Sequence, residues 1–508
     1  MFNWFGRGKP DHPLADAKQA RKLLSELPAD DAFKALEDIY YWIKSLNATP
    51  GFNLLHRYEI VDMLDQAARP YQRKLAKGYL STPRLQKLQE SRMWNTEFEF
   101  WRELGQAYLQ CLDQFIAEGR RAESFRPLLP ALCARIVRTL NLQMKWVLLR
   151  YGALDEELWR ILGRVYRYAE EGGFERQEVR LYPRSSGNSS VHRETKKLLM
   201  LSISSADSLL PVTLEISERI VSHFANFFSL ERTPGTECNY FFDLNMGAAP
   251  SRLVKDMTLA PSMRFFGAGS AYEELEKLSS QVAQGAVPPE LDLGASYSPS
   301  VVLEVLLHLS QYWTQNLIVR GHERRKTMVR LSVVHGFIEI IGMLADGGAT
   351  HDGNAESWVA NNVSEGGYGA VIQQVQGDWV KIGSLLGIKP EGGAHWGVGV
   401  VRRLARDNQQ RIYVGIQALA KAAIPVRLQP LGGAMSAVSE AYRLAMLLSS
   451  SPDSAGEITL LLKEATFSPT HQFEMLVSGK EYVLSPAKLL EEGEDYDLAK
   501  YRVSQRAS

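Results

Sequence analysis

Residues 357–375 read SWVANNVSEGGYGAVIQQV, an alternating, β-branched stretch broken by Asn, Ser and Gly. Its texture repeats in TMVRLSVVHGFIEIIGML (327–344), WVKIGSLLGIKP (379–390), WGVGVVRRLA (396–405) and RIYVGIQAL (411–419). Short apolar runs with a two-residue period, bounded by turn residues, are strands, and this spacing predicts a small antiparallel barrel or sandwich. Outward toward the C-terminus, EITLLLKEA (457–465), HQFEMLVSG (471–479) and KEYVLSPAKLLEEG (480–493) predict a second small β unit.

Outward toward the N-terminus the period changes to that of a helix. Asp31 precedes an amphipathic run with Phe33, Leu36, Ile39 and Ile43 on one face, and Asp155 starts another that Gly172-Gly173 can end. Thr96 and Glu99 have the spacing of a capping box. Pro211–Ser229 is expected to be helical, NYFFDLN (239–245) a strand, and Ser298-Pro299 the start of a further helix. The expected fold is multidomain α+β. An α-helical bundle spans residues 1–190, a mixed region 191–320, a β barrel 321–421 and a small β domain 422–508.

The 508 residues carry 58 Lys+Arg against 58 Asp+Glu, so the formal net charge is zero. This excludes a chain-wide polyanion binder, and no nucleic-acid polymer is expected as partner; any taste for phosphate must be local. No window approaches the ~20 apolar residues of a membrane span, and the N-terminal MFNWFGRGKP lacks the apolar core of a secretory signal. Cys111, Cys133 and Cys238 are an odd set without metal-ligand spacing, which suits a reducing cytoplasm.

Catalytic signatures are missing from the sequence. It has no GxxxxGK[ST] loop, no HExxH helix and no GxSxG elbow, and Gly267-Ala268-Gly269 lacks the third glycine of a dinucleotide fingerprint. His192, His223, His308, His335 and His395 are scattered singly. Neither an enzyme nor a metal or cofactor site is expected.

Two local features carry chemistry. ERRKTMVR concentrates Arg324, Arg325, Lys326 and Arg330, with Arg320 upstream, and guanidinium forks suit phosphate and the O6/N7 edge of guanine. Downstream, Asn362-Val363-Ser364-Glu365-Gly366-Gly367 offers short polar groups for a base edge and a glycine for close backbone approach. In this order, and followed by the 397–417 hairpin with Gly415, they resemble the PilZ domain, the bacterial receptor module for cyclic di-GMP. That family carries RxxxR, then a strand, then [D/N]xSxxG. Here the second motif is complete. The first departs: four residues before Arg330 stands Lys326, Arg325 is one residue early, and Arg320/Arg324 give the spacing farther from the strand.

The resemblance implies a cytoplasmic signalling effector that binds cyclic di-GMP and changes its interdomain arrangement. Its ligand-binding residues would be Arg324, Arg325, Lys326, Arg330, Asn362, Ser364 and Gly367, with the arginines on a loop before the strand. A protein partner would dock on the helical or C-terminal region. The alternative is a PilZ-like scaffold that has lost the nucleotide.

Overall fold

The computed structural model describes residues 10–81, 86–183, 187–293, 297–314, 324–345, 355–373, 377, 379–431, 443–449, 451–477 and 479–505. The N-terminal aromatic residues Phe2, Trp4 and Phe5, and Arg320, lie outside them. The chain forms two compact units, one within residues 1–318 and one within 319–508.

The first unit begins with eight helices: α1 (Ala17–Ser25), α2 (Ala32–Ala48), α3 (Leu54–Ser81), α4 (Lys87–Glu118), α5 (Leu129–Leu148), α6 (Glu156–Glu171), α7 (Val191–Ser202) and α8 (Pro211–His223). Asp31 caps α2 by accepting from the Lys34 N–H, and Asp155 caps α6 through Glu157. Gly173 takes a left-handed φ of 68° after α6. The capping box at Thr96 does not form. α4 runs unbroken through it, because nothing in that stretch breaks a helix and Glu97, Phe100 and Trp101 are all buried against neighbours.

Four strands follow: β1 (Ser229–Glu231), β2 (Tyr240–Asp243), β3 (Ser251–Arg252) and β4 (Met263–Gly267), in the antiparallel order β1-β4-β2-β3. Helices α9 (Ala271–Ala283) and α10 (Pro299–Trp313) complete the unit, α10 capped by Ser298. A single apolar core runs from Leu14 to Trp313, and Leu181, Tyr182 and Val191, on either side of the boundary expected after residue 190, all belong to it. Burying a charge is costly unless it is paired, and several charges in this core are paired. Arg135 bonds Asp65 at 2.9 Å, and Lys197 bonds Glu194 at 2.7 Å.

The second unit holds two closed barrels. The first contains β5 (Arg325–His335), β6 (Glu356–Ser364), β7 (Gly367–Ile372), β8 (Leu385–Pro390), β9 (Gly397–Arg406) and β10 (Ile412–Ala420) in the order β10-β7-β6-β5-β8-β9. The run 327–344 is not all strand. Gly336, at φ 90°, ends β5, and Phe337–Ala345 is helix α11. An apolar run of that length does not distinguish helix from strand.

The second barrel is also six-stranded: β11 (Ile424–Pro430), β12 (Arg443–Leu447), β13 (Glu457–Lys463), β14 (Phe473–Val477), β15 (Lys480–Glu492) and β16 (Tyr496–Gln505), ordered β11-β12-β13-β16-β15-β14. A shared apolar cluster joins the barrels. Phe337, Ile340 and Ile341 of α11, with Trp396 and Val400, pack against Met446, Leu461, Tyr496 and Leu498.

At the edge of that cluster Arg402 holds Glu491 with two parallel bonds of 2.7 and 2.5 Å, and the Tyr496 hydroxyl donates to the same carboxylate. Burial pushes the Glu491 carboxyl up, but the Arg402 and Tyr496 bonds outweigh it and hold it below the usual carboxylate range. A depressed pKa stabilises the fold fully above the ordinary carboxylate value and loses that contribution as pH falls through the folded value. Glu491→Gln should therefore cost about 1 kcal/mol at neutral pH, the scale of a partly exposed pair. In urea titrations at several pH values, the gap between wild type and variant should close in acid.

Candidate nucleotide-binding site

Closed barrels have no sheet edges, which leaves their two ends and their outer wall for a ligand. One end of the first barrel is filled. His335, Trp379 and Trp358 stack, with ring centroids 4.0 and 5.6 Å apart, and Glu356 accepts from both indole N–H groups. The other end is open, with a cleft of about 250 Å³ lined by Tyr368, Pro390, His395, Gly397, Ala418 and Lys421 among others. Burial raises the Tyr368 hydroxyl pKa. The start of β5, the end of β6 and the start of β7 lie at this same end, because β5, β6 and β7 are antiparallel neighbours.

Both sequence features arrive here. Arg325 pairs with Val363, Lys326 with Asn362 and Ser364 with Gly367. Arg330 stands farther along, opposite Val359. Arg324, Arg325, Lys326 and Arg330 are all exposed. The arginines were expected on a loop before the strand; the structure puts Arg325, Lys326 and Arg330 in β5 itself, since ERRKTMVR contains no turn residue and exposed basic side chains fit a ladder's solvent face.

Two bulges set where these side chains point. Trp358 and Ala360 face the barrel core, fully buried, so an uninterrupted strand would send Asn362 inward as well. Instead the β6–β7 register skips Asn361: Ala360 pairs with Ala370, and Asn362 pairs with Gly369. An extra residue of this kind re-aims the strand. Ala370 is buried, so Gly369 and Asn362 face outward. The matching irregularity in β5 lies between Lys326 and Val329.

Gly369 makes the outward position usable. A Cβ there would sit 2.3 Å from Asn362 Nδ2, so the Asn362 amide occupies the space a side chain would fill. The amide Nδ2 donates to Asn361 Oδ1 at 2.7 Å. Gly369 pairs in turn with Gly415, and Gly415 with Arg403. A Cβ on Gly415 would lie 3.0 Å from Arg403 Cβ and 3.7 Å from its Cδ, so the arginine stem crosses β10 over that glycine. One outward row therefore reads Lys326, Asn362, Gly369, Gly415, Arg403. Arg403 was not among the expected residues. Its trace in the sequence is the Arg402-Arg403 pair that ends the apolar run 397–401.

Among the described residues no group of three or more His, Cys, Asp or Glu could hold a metal ion. No described helix is long and apolar enough to cross a membrane.

Residues 346–425 match the family model described as the middle PilZ domain of the cyclic-di-GMP receptor FimW. The chain is a multidomain PilZ protein. Residues 18–235 match a second model, the N-terminal domain of the same receptor, so two domains of one receptor occur here in order. The PilZ match includes Asn362, Ser364 and Gly367, and starts downstream of Arg324–Arg330. Comparison with curated proteins and with solved structures gives no match.

Gly367 is the position in the PilZ motif that the backbone constrains most. Its φ is 151°, and a Cβ would come 1.9 Å from the Ile416 carbonyl oxygen. Gly367→Ala should cost at least about 2 kcal/mol in denaturant unfolding, from backbone strain plus a clash no rotamer relieves. An unchanged midpoint would contradict this packing.

Proposed function

We propose that the first barrel is a receptor for cyclic di-GMP, with Lys326 standing directly opposite Asn362 as the observation that carries the reading. The two matched domain models, both of a cyclic-di-GMP receptor, support it. The ligand carries two phosphates and two guanines. Arg324, Arg325, Lys326 and Arg330 supply exposed positive charge for the phosphates. Asn362 offers an amide to a guanine edge and Ser364 a hydroxyl, while Gly367, packed against the Ile416 carbonyl, lets the hairpin close so that both are held in place. The chemistry is non-covalent and uses no metal or cofactor.

The proposed output is a change in how the two barrels meet. β9 touches both sites of action: Arg403 lies in the outward row, and its neighbour Arg402 holds Glu491 of the second barrel. Drawing the ligand onto the first barrel shifts β9 and with it the clamp, an electrostatic event with a global readout. In this reading residues 321–421 are the receptor module and 422–508 the body it moves against. The helical region or the C-terminal region offers surface to a protein partner. A cytoplasmic location fits the three free, buried cysteines.

Calorimetric titration with cyclic di-GMP, with GTP as control, tests the claim. Arg325→Ala and Arg330→Ala should each cost ~1–3 kcal/mol of binding, and Ser364→Ala less, because a neutral hydroxyl contributes less than a charge-assisted fork. Lys326→Arg should tighten binding by restoring the motif's guanidinium. Added salt should weaken it. Absence of heat or thermal shift would favour the second reading, a scaffold without ligand, which the replacement of the motif's arginine by Lys326 favours.

A further inference from the structure

We propose that Arg403 determines base specificity, reading the O6/N7 edge of a guanine that Asn362 holds from the other side. The inference rests on the cyclic di-GMP reading above. Its ground is the pair of facing glycines. Gly369 and Gly415 are register partners on adjacent strands, about 4.8 Å apart, and neither carries a Cβ. Each is overlaid by a long-range neighbour, the Asn362 amide from the β6 side and the Arg403 stem from the β9 side. The wall has no side chains of its own at these two positions, and the Asn362 amide and the aliphatic stem of Arg403 lie over it from opposite sides.

That pairing of groups matches guanine. An amide can accept from N1–H or N2–H on the Watson–Crick edge, while a planar guanidinium donates two parallel bonds to O6 and N7. Adenine presents a donor, N6–H₂, where guanine has O6, so the same fork meets a donor and loses one bond. Lys326, on the far side of Asn362, has no planar fork with which to do this. A bulge fixes the placement of Arg403. The β9–β10 register shifts between Gly415 and Ile416, so Gly415 pairs with Arg403 and Ile416 with Val401. Arg402 is the extra residue: it turns to Glu491 while Arg403 stays in the outward row.

The test titrates the full chain with cyclic di-GMP and with cyclic di-AMP, for wild type, Arg403→Ala, Arg403→Lys and Arg406→Ala. The last removes the same charge from the same strand. Wild type should prefer cyclic di-GMP. Arg403→Ala should reduce that preference about tenfold to a hundredfold, mainly by weakening cyclic di-GMP. Arg403→Lys should fail to restore it, and Arg406→Ala should keep it. Unliganded thermal unfolding should be unchanged in all three variants, which separates base reading from support of the fold. Equal weakening of both ligands in Arg403→Ala, or a preference that survives it, would overturn the assignment. A wild type that binds neither nucleotide would instead overturn the receptor reading.

Discussion

One extra residue in a strand decides what this barrel can touch. Strand alternation would bury Asn362 behind Ala360, in a core with no room for an unpaired amide. The bulge at Asn361 reverses the alternation for the last part of β6, and Gly369 leaves the space that the turned-out amide fills. Everything argued for the site depends on that reversal. Lys326 faces Asn362 because β5 carries a matching irregularity, and Arg403 enters the same outward row because β9 carries a third. The fold spends three breaks in ladder regularity on one patch of wall.

The same strands explain why a surface event can be felt elsewhere. The first part of β9 is buried on both faces, toward its own barrel and toward α11 and the second barrel. Packed interfaces of this kind tend to have discrete arrangements rather than continuous ones. Arg402 and Arg403, adjacent in sequence, point one to the neighbouring barrel and one to the outward row. The second barrel, with its own closed core of Leu428, Leu460, Phe473 and Tyr501, is a stiff body for such a strand to act against.

Much of this was legible in the sequence where the signal is local. Hairpin strands alternate over a few residues, and the Asn362–Gly367 spacing sits within one hairpin, so both could be read directly. The helix starts at Asp31, Asp155 and Ser298 were legible because a cap is a one-turn interaction. Signals that need tertiary context were not. The run after Gly336 is apolar in a way that suits strand or helix, and burial between two barrels made it helix α11. IPVRLQP and RLAML, now β11 and β12, are too short to show a period. Thr96 has the spacing of a cap, but core packing carried α4 straight through it. Arg403 enters the outward row of Asn362 only through the register of four strands, which no linear spacing encodes.

Hydrogen–deuterium exchange of the full chain, with and without cyclic di-GMP, tests the central claim most directly, because it locates the ligand without altering a residue. The register breaks leave residues of these segments outside the regular ladder, where a ligand lying on them has protection to confer. The account predicts protection in Arg324–Arg330, in Asn361–Gly369 and around Arg402–Gly415, with a smaller change at Glu491 in the second barrel. Protection confined to the helical unit, or to the second barrel alone, would contradict it.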